Sequence, residues 1–136
     1  MLVSRSVAAE LVCSAASPQR DVRGIEARAQ FQRHSDLVLS YRLRADINQL
    51  RIPHAALPRH VDGLWQHTCF EAFIGVQVNP AYFEFNFSPS GEWAVYRFCA
   101  YRDGVAVEDE SLMPKISVEH STGQLTLVAV IRLDRL

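Results

Sequence analysis

The sequence predicts an all-β chain, an antiparallel β-sandwich of about nine strands. Three observations point there. Long stretches alternate apolar and polar residues with period two, the mark of half-buried antiparallel strands. Turn-forming residues recur between short apolar runs. No amphipathic helix period runs beyond about ten residues, the length at which a helix assignment becomes trustworthy.

The N-terminal MLVSRSVAAELVCSAAS has Arg5 and the small residues Ala15, Ala16 and Ser17, as a signal peptide would. Glu10 interrupts its apolar run, so it reads as a first strand, and a cytoplasmic location is expected. Ile25, Ala27, Ala29 and Phe31 then share one face, against Glu26, Arg28, Gln30 and Gln32. Leu37, Leu39, Tyr41, Leu43 and Ala45 repeat the pattern, against Ser40, Arg42, Arg44 and Asp46. His34, Ser35 and Asp36 form the hairpin between the two.

Residues 47–64 break the alternation. Pro53, Pro58, Asp62 and Gly63 mark a long irregular connection, the kind of loop that often carries function. Cys69 to Val78 is nearly all apolar apart from Glu71 and Gln77, which predicts a central strand buried on both faces. Asn79-Pro80 turns the chain. Phe83, Phe85 and Phe87 then alternate with Tyr82, Glu84, Asn86 and Ser88. Ser88-Pro89-Ser90-Gly91 is a turn, with Pro presetting φ and Gly tolerating positive φ. Trp93 to Tyr101 is the next strand, closed by Asp103-Gly104. The segment 105–114 is acidic and irregular. Ile116 and Val118 open another strand, and Ser121-Thr122-Gly123 turns it into Gln124–Leu133.

The chain has 136 residues, enough for a single domain spanning 1–136 with a real core. Its formal net charge is −1 and no Lys/Arg run appears, which argues against nucleic-acid or anionic-membrane binding. No apolar segment approaches the roughly 20 residues that cross a bilayer as a helix. Cys13, Cys69 and Cys99 show no metal-ligand spacing, and Cys69 and Cys99 read as free buried thiols. No metal site is expected: His60 and His67 have only Asp62 nearby as a carboxylate. No GxSxG elbow, phosphate loop or HExxH appears, and no catalytic residue is assigned.

The stretch LWQHTCFEAFIG followed by YFEFNFSPSGEWAVYRF resembles the bacterial DOMON-like proteins related to family 9 carbohydrate-binding modules. The positions that carry the likeness are Leu64, Trp65, Glu71, Tyr82, Glu84, Phe85, Asn86, Pro89, Gly91 and Trp93. The resemblance implies an antiparallel β-sandwich and a ligand that is a sugar or haem. Members usually continue past a point like Leu136. The resemblance therefore implies a sandwich short of its last strands, with an open edge through which a homodimer would form.

The expected function is a non-catalytic module that binds a carbohydrate or related small ligand, without a cofactor. Trp65 and Trp93 are its candidate stacking rings. Each has an alternative reading as core, which is favoured for Trp65 because Trp is highly buried on average. Glu71 and Asn86 are its candidate hydrogen-bonding groups. Glu71 also reads as one half of a structural pair with Arg97, since a buried carboxylate must be paired or protonated. One alternative is a haem b module with His67 and Met113 as axial ligands, as in haem-binding relatives. Another is an interaction module with no small ligand.

Overall fold

The computed structural model describes residues 5–18, 20–32, 35–75, 77–100 and 102–136. Among them are nine strands and no α-helix: β1 (Ser6–Glu10), β2 (Val22–Phe31), β3 (Asp36–Ala45), β4 (Phe70–Gly75), β5 (Tyr82–Phe87), β6 (Trp93–Ala100), β7 (Asp103–Ala106), β8 (Lys115–His120) and β9 (Gln124–Arg132). They form two antiparallel sheets, the sheet content of a β-sandwich, ordered β1-β2-β3-β9-β8 and β4-β5-β6-β7. The sheets belong to separate compact units, Met1–Arg51 with Pro114–Leu136 and Ile52–Met113.

In the five-stranded sheet the period-two pattern becomes a core face. Register sets Leu37 opposite Ile131, Leu39 opposite Ala129, Tyr41 opposite Leu127 and Leu43 opposite Leu125. All eight side chains are buried. The other face is polar. There Glu10 stands directly opposite Glu26, a like-charge pair that costs stability in a sheet. Arg44 reaches Glu10 at 3.3 Å and Arg28 lies 3.7 Å from Glu26. Both ion pairs are exposed and worth only about 0–1 kcal/mol, so their role is to offset the repulsion that would loosen β1.

Some boundaries differ from the sequence reading. Leu133 does not extend the last strand but opens a 3-10 turn, Leu133–Arg135. β9 lies between β3 and β8, so the last strand of this chain is interior to its sheet and both its edges are paired. Within the predicted hairpin at 34–36, Ser35 has φ 70° and Asp36 already begins β3, while His34 lies outside the described residues.

In the four-stranded sheet the Ser88–Gly91 turn sets the register. Gly91 donates its backbone N–H to the Ser88 carbonyl and Ser88 donates to the Glu92 carbonyl, both at 3.0 Å. This is a three-residue hairpin loop with Gly91 at φ 92°, where a side chain would be strained. Ser90 Oγ donates to Ser88 Oγ at 2.8 Å and lies 3.0 Å from Glu92 Oε1; Arg59 caps Glu92 at 3.0 Å. Opposing Ser88 to Glu92 forces Phe87 opposite Trp93. Phe85, Phe87, Trp93 and Val95 therefore share one face, and all are buried.

The apolar run at Cys69 is not a central strand buried on both sides. It forms β4, an edge strand, and Phe73 on it is 63% exposed. Phe70, Ala72 and Ile74 share the face of the buried Phe85 and Phe87, and Phe73 is the one large apolar side chain of β4 on the open face. Asp103 and Gly104 do not close the preceding strand but begin β7, which pairs back onto β6; Tyr101 lies outside the described residues. All three cysteines are free, and Cys99 is exposed rather than buried.

Candidate functional site

The second face of the four-stranded sheet carries the chemistry. Antiparallel register places three cross-strand rows on it. The first is Glu71, Asn86 and Ala94; the second Phe73, Glu84 and Tyr96; the third Gly75, Tyr82, Phe98 and Gly104. Its rings cluster about Tyr82. Tyr82 and Phe98 lie directly opposite with centroids 4.8 Å apart and planes 2° from parallel, and Phe73 sits diagonally 6.1 Å from Tyr82. Such cross-strand aromatic pairs contribute roughly 0.2–1 kcal/mol each and hold the rings in a fixed array.

The irregular segment before β4 borders this face. Tyr96 Oη donates to Asp62 Oδ1 at 3.0 Å. Burial, the Asp62 bond and the Asp62 charge push the Tyr96 phenol up to about 12, so it stays a donor at neutral pH. Gly63 follows with φ 79°, a backbone that favours glycine, and it turns the chain into a 3-10 turn, Leu64–Gln66, that packs against β5. Leu64 is buried and anchors the turn, which leaves Trp65 64% exposed.

Two carboxylates stand among these rings. Glu71 and Glu84 are diagonal neighbours on adjacent strands. Burial raises the pKa of Glu71 above 4.5, and the Glu84 charge raises it further. Burial likewise raises Glu84, while its hydrogen bond with Asn86 opposes the shift. Asn86 is 0% exposed; with its amide nitrogen toward the acceptors it donates to Glu84 Oε1 at 3.1 Å and to the Phe85 carbonyl at 3.3 Å. Its role is to orient Glu84. Cys69 lies beside them, and burial followed by the Glu71 charge pushes its thiol up to about 12. It is a neutral, unreactive thiol at physiological pH.

The raised carboxyl pKa values have a consequence for stability. A carboxyl with a raised folded pKa holds its proton more tightly in the fold than in the unfolded chain. That contribution is complete below the unfolded value of 4.5 and is lost as pH rises through the folded value. Glu84→Gln keeps an oxygen for Asn86 and removes the charge. It is expected to raise Tm at pH 7 by about 1–3 °C, a small effect because the group is solvent-screened, and to change little at pH 4. Thermal unfolding at the two pH values checks this, and a lower Tm at pH 7 would contradict it.

The structure separates the four expected site residues. Glu71 and Asn86 lie on this face, and Trp65 lies in the 3-10 turn that packs against β5. Trp93 does not: it is 0% exposed, on the opposite face, with His60 packed edge-on at 5.1 Å. Its ring has no free side for a ligand, because the hairpin register sets it beside Phe87. The proposed partner of Glu71 also moves away, since Arg97 stands opposite Phe83 on the other face. Trp65, for which a core position was favoured, is a surface ring. Sequence reasoning missed Phe73, Tyr96 and Phe98. The signal for the last two was present, because the Ser88–Glu92 loop length dictates that Tyr96 faces Glu84 and Phe98 faces Tyr82.

His67 is exposed at the end of the Trp65 turn, and Met113 is exposed after a second 3-10 turn, Glu110–Leu112. Two solvent-facing side chains do not supply the enclosed slot that shields a haem. Among the described residues no group of three or more His, Cys, Asp or Glu is placed to hold a metal ion.

No protein-family model matches the chain, and no curated protein matches it. A solved structure does: the crystal structure of a "putative carbohydrate-binding protein" from Bacteroides uniformis. The likeness has a TM-score of 0.71 at 16% identity and covers 96% of this chain. It shows a shared all-β fold. The chain spans 61% of the length of that protein.

Proposed function

We propose that this chain is a non-catalytic binding module for carbohydrate, and that the β4–β7 face beside Trp65 is its binding surface. One observation carries the reading: Glu71 and Glu84 are set beside the rings of Phe73, Tyr82, Tyr96 and Phe98, with Trp65 exposed in the 3-10 turn that packs against β5. Sugar recognition needs both parts. Flat rings cover the C–H faces of a pyranose, and carboxylates accept hydrogen bonds from its hydroxyls, charge-assisted bonds being roughly twice as strong as neutral ones. The binding ascribed to the Bacteroides uniformis protein supports the same class of ligand. So does the resemblance to DOMON-like proteins and family 9 carbohydrate-binding modules, a kinship that forms part of this proposal.

The contacts assigned are Trp65 and Phe73 for stacking, Glu71 and Glu84 for hydroxyls, and Asn86 as the residue that positions Glu84. Trp93 is not among them. The test is a glycan array with the wild-type protein, followed by titration of any hit against Trp65→Ala. Because Trp65 is already largely in solvent, the substitution is expected to leave Tm within about 2 °C while weakening binding at least about tenfold. Failure of the wild-type protein to retain any glycan would overturn the proposal.

A further inference from the structure

We infer that the ligand of this face carries a protonated amine, as an amino sugar does, and that the ammonium group seats on Glu84 between the rings of Phe73 and Tyr96. The inference rests on the carbohydrate reading above and names the sugar class within it.

The row structure of the sheet is the starting point. Glu84 has Phe73 opposite it on one side and Tyr96 on the other, with Tyr82 two residues along its own strand on the same face. A carboxylate flanked by rings is the composition that holds an ammonium group. The carboxylate supplies charge, and the ring faces supply the negative quadrupole that attracts a cation within about 6 Å. A neutral hydroxyl gains only the first of these.

The charge balance of the face points the same way. Strands β4 to β7 contain one basic residue, Arg97, and register puts it on the opposite face. The carboxylates on or bordering the ringed face are Glu71, Glu84 and Asp62. Asp62 is engaged by the Tyr96 phenol, and Asn86 supplies Glu84 with a neutral donor rather than a countercharge. Among the neighbouring basic residues, Arg59 is committed to Glu92 at 3.0 Å, His60 packs on Trp93, and Arg102 lies in the β6–β7 turn, two rows from Glu84, with an interaction of its own. His67 is exposed beyond the Trp65 turn. Burial already disfavours the charged form of Glu84, so a bound cation gains from a carboxylate that water solvates poorly. An acidic sugar would meet repulsion on the same surface.

The probes are a glucosamine tetramer, its N-acetylated form, cellotetraose and 1,5-diaminopentane, titrated by calorimetry at pH 6.5 and low salt. The glucosamine tetramer is expected to bind about tenfold more tightly than the N-acetylated and neutral chains. Glu84→Gln, which keeps the Asn86 hydrogen bond and so the fold, is expected to abolish that preference. Raising salt to 0.5 M is expected to narrow it. Equal binding of the three oligosaccharides would overturn the amine assignment and leave the carbohydrate reading standing. Diaminopentane binding as tightly as the glucosamine tetramer would overturn the sugar part of the assignment. Binding of none of the four, with glycans retained on the array, would overturn the amine assignment alone. An empty array as well would remove both.

Discussion

Trp93→Ala is expected to lower the free energy of unfolding by about 3–5 kcal/mol, the usual cost of truncating a buried Trp. The residue is 0% exposed and faces Phe87 across the hairpin. It also ties down the irregular segment that precedes β4. Its backbone N–H donates to the Arg59 carbonyl at 3.1 Å, its carbonyl accepts from Val61 at 2.9 Å, and its ring meets His60 edge-on. Removing the ring leaves a cavity and frees His60 together. The cost is a large share of the 5–15 kcal/mol that stabilises a typical domain. Trp93→Phe should cost much less, because it keeps most of the apolar volume and deletes an indole N–H that has no hydrogen-bond partner. Urea unfolding of both variants measures this. An alanine variant that stays as stable as wild type but loses ligand would return Trp93 to the role of a stacking platform.

Asn86→Asp is expected to be the most damaging single-atom-scale change at the site, and its damage should depend on pH. Asn86 is fully buried and its amide donates to Glu84 and to the Phe85 carbonyl. Replacement by Asp removes these donors and sets a second carboxylate against Glu84. Leaving the acceptors unsatisfied costs about 1–3 kcal/mol, and like-charge repulsion adds to it while both groups are ionised. The introduced carboxyl is buried, so its folded pKa lies above its unfolded one. The penalty is therefore smallest below about pH 4, where the new carboxyl is protonated and can donate, and grows as pH rises through the folded value. Asn86→Leu provides the contrast: it loses the hydrogen bonds without adding a charge, so its cost should rise with pH only through the further raised Glu84 carboxyl, less steeply than that of Asn86→Asp. A profile for Asn86→Asp no steeper than that for Asn86→Leu would show that the side chain at 86 does not bear on Glu84.

Trp65 and Trp93 show how far local pattern reaches. They are alike in composition and in neighbourhood, each following a loop and preceding a strand. Period-two alternation does not separate the ring that ends in solvent from the ring that ends in the core. The register of the Ser88–Glu92 hairpin does so for Trp93, since it aligns that residue with the buried Phe85 and Phe87. Trp65 is decided by Gly63 and Leu64, which turn the chain and bury one side of a three-residue helix.

The sequence by itself determined the all-β class, the strands β2, β3, β5 and β9, and the turn at Ser88–Gly91. Each follows from period-two alternation or from turn chemistry, properties carried by residues adjacent in the chain. It also placed Tyr82, Glu84 and Asn86 on one face, because strand parity is local. The tertiary structure alone decided that Leu37 would pair with Ile131, that β4 would stand at a sheet edge with Phe73 in solvent, and that Arg97 would face away from Glu71. Those outcomes depend on which strands become neighbours and which face is covered. Burial rewards many alternative pairings of such apolar segments almost equally, and only the packing of the whole chain selects among them.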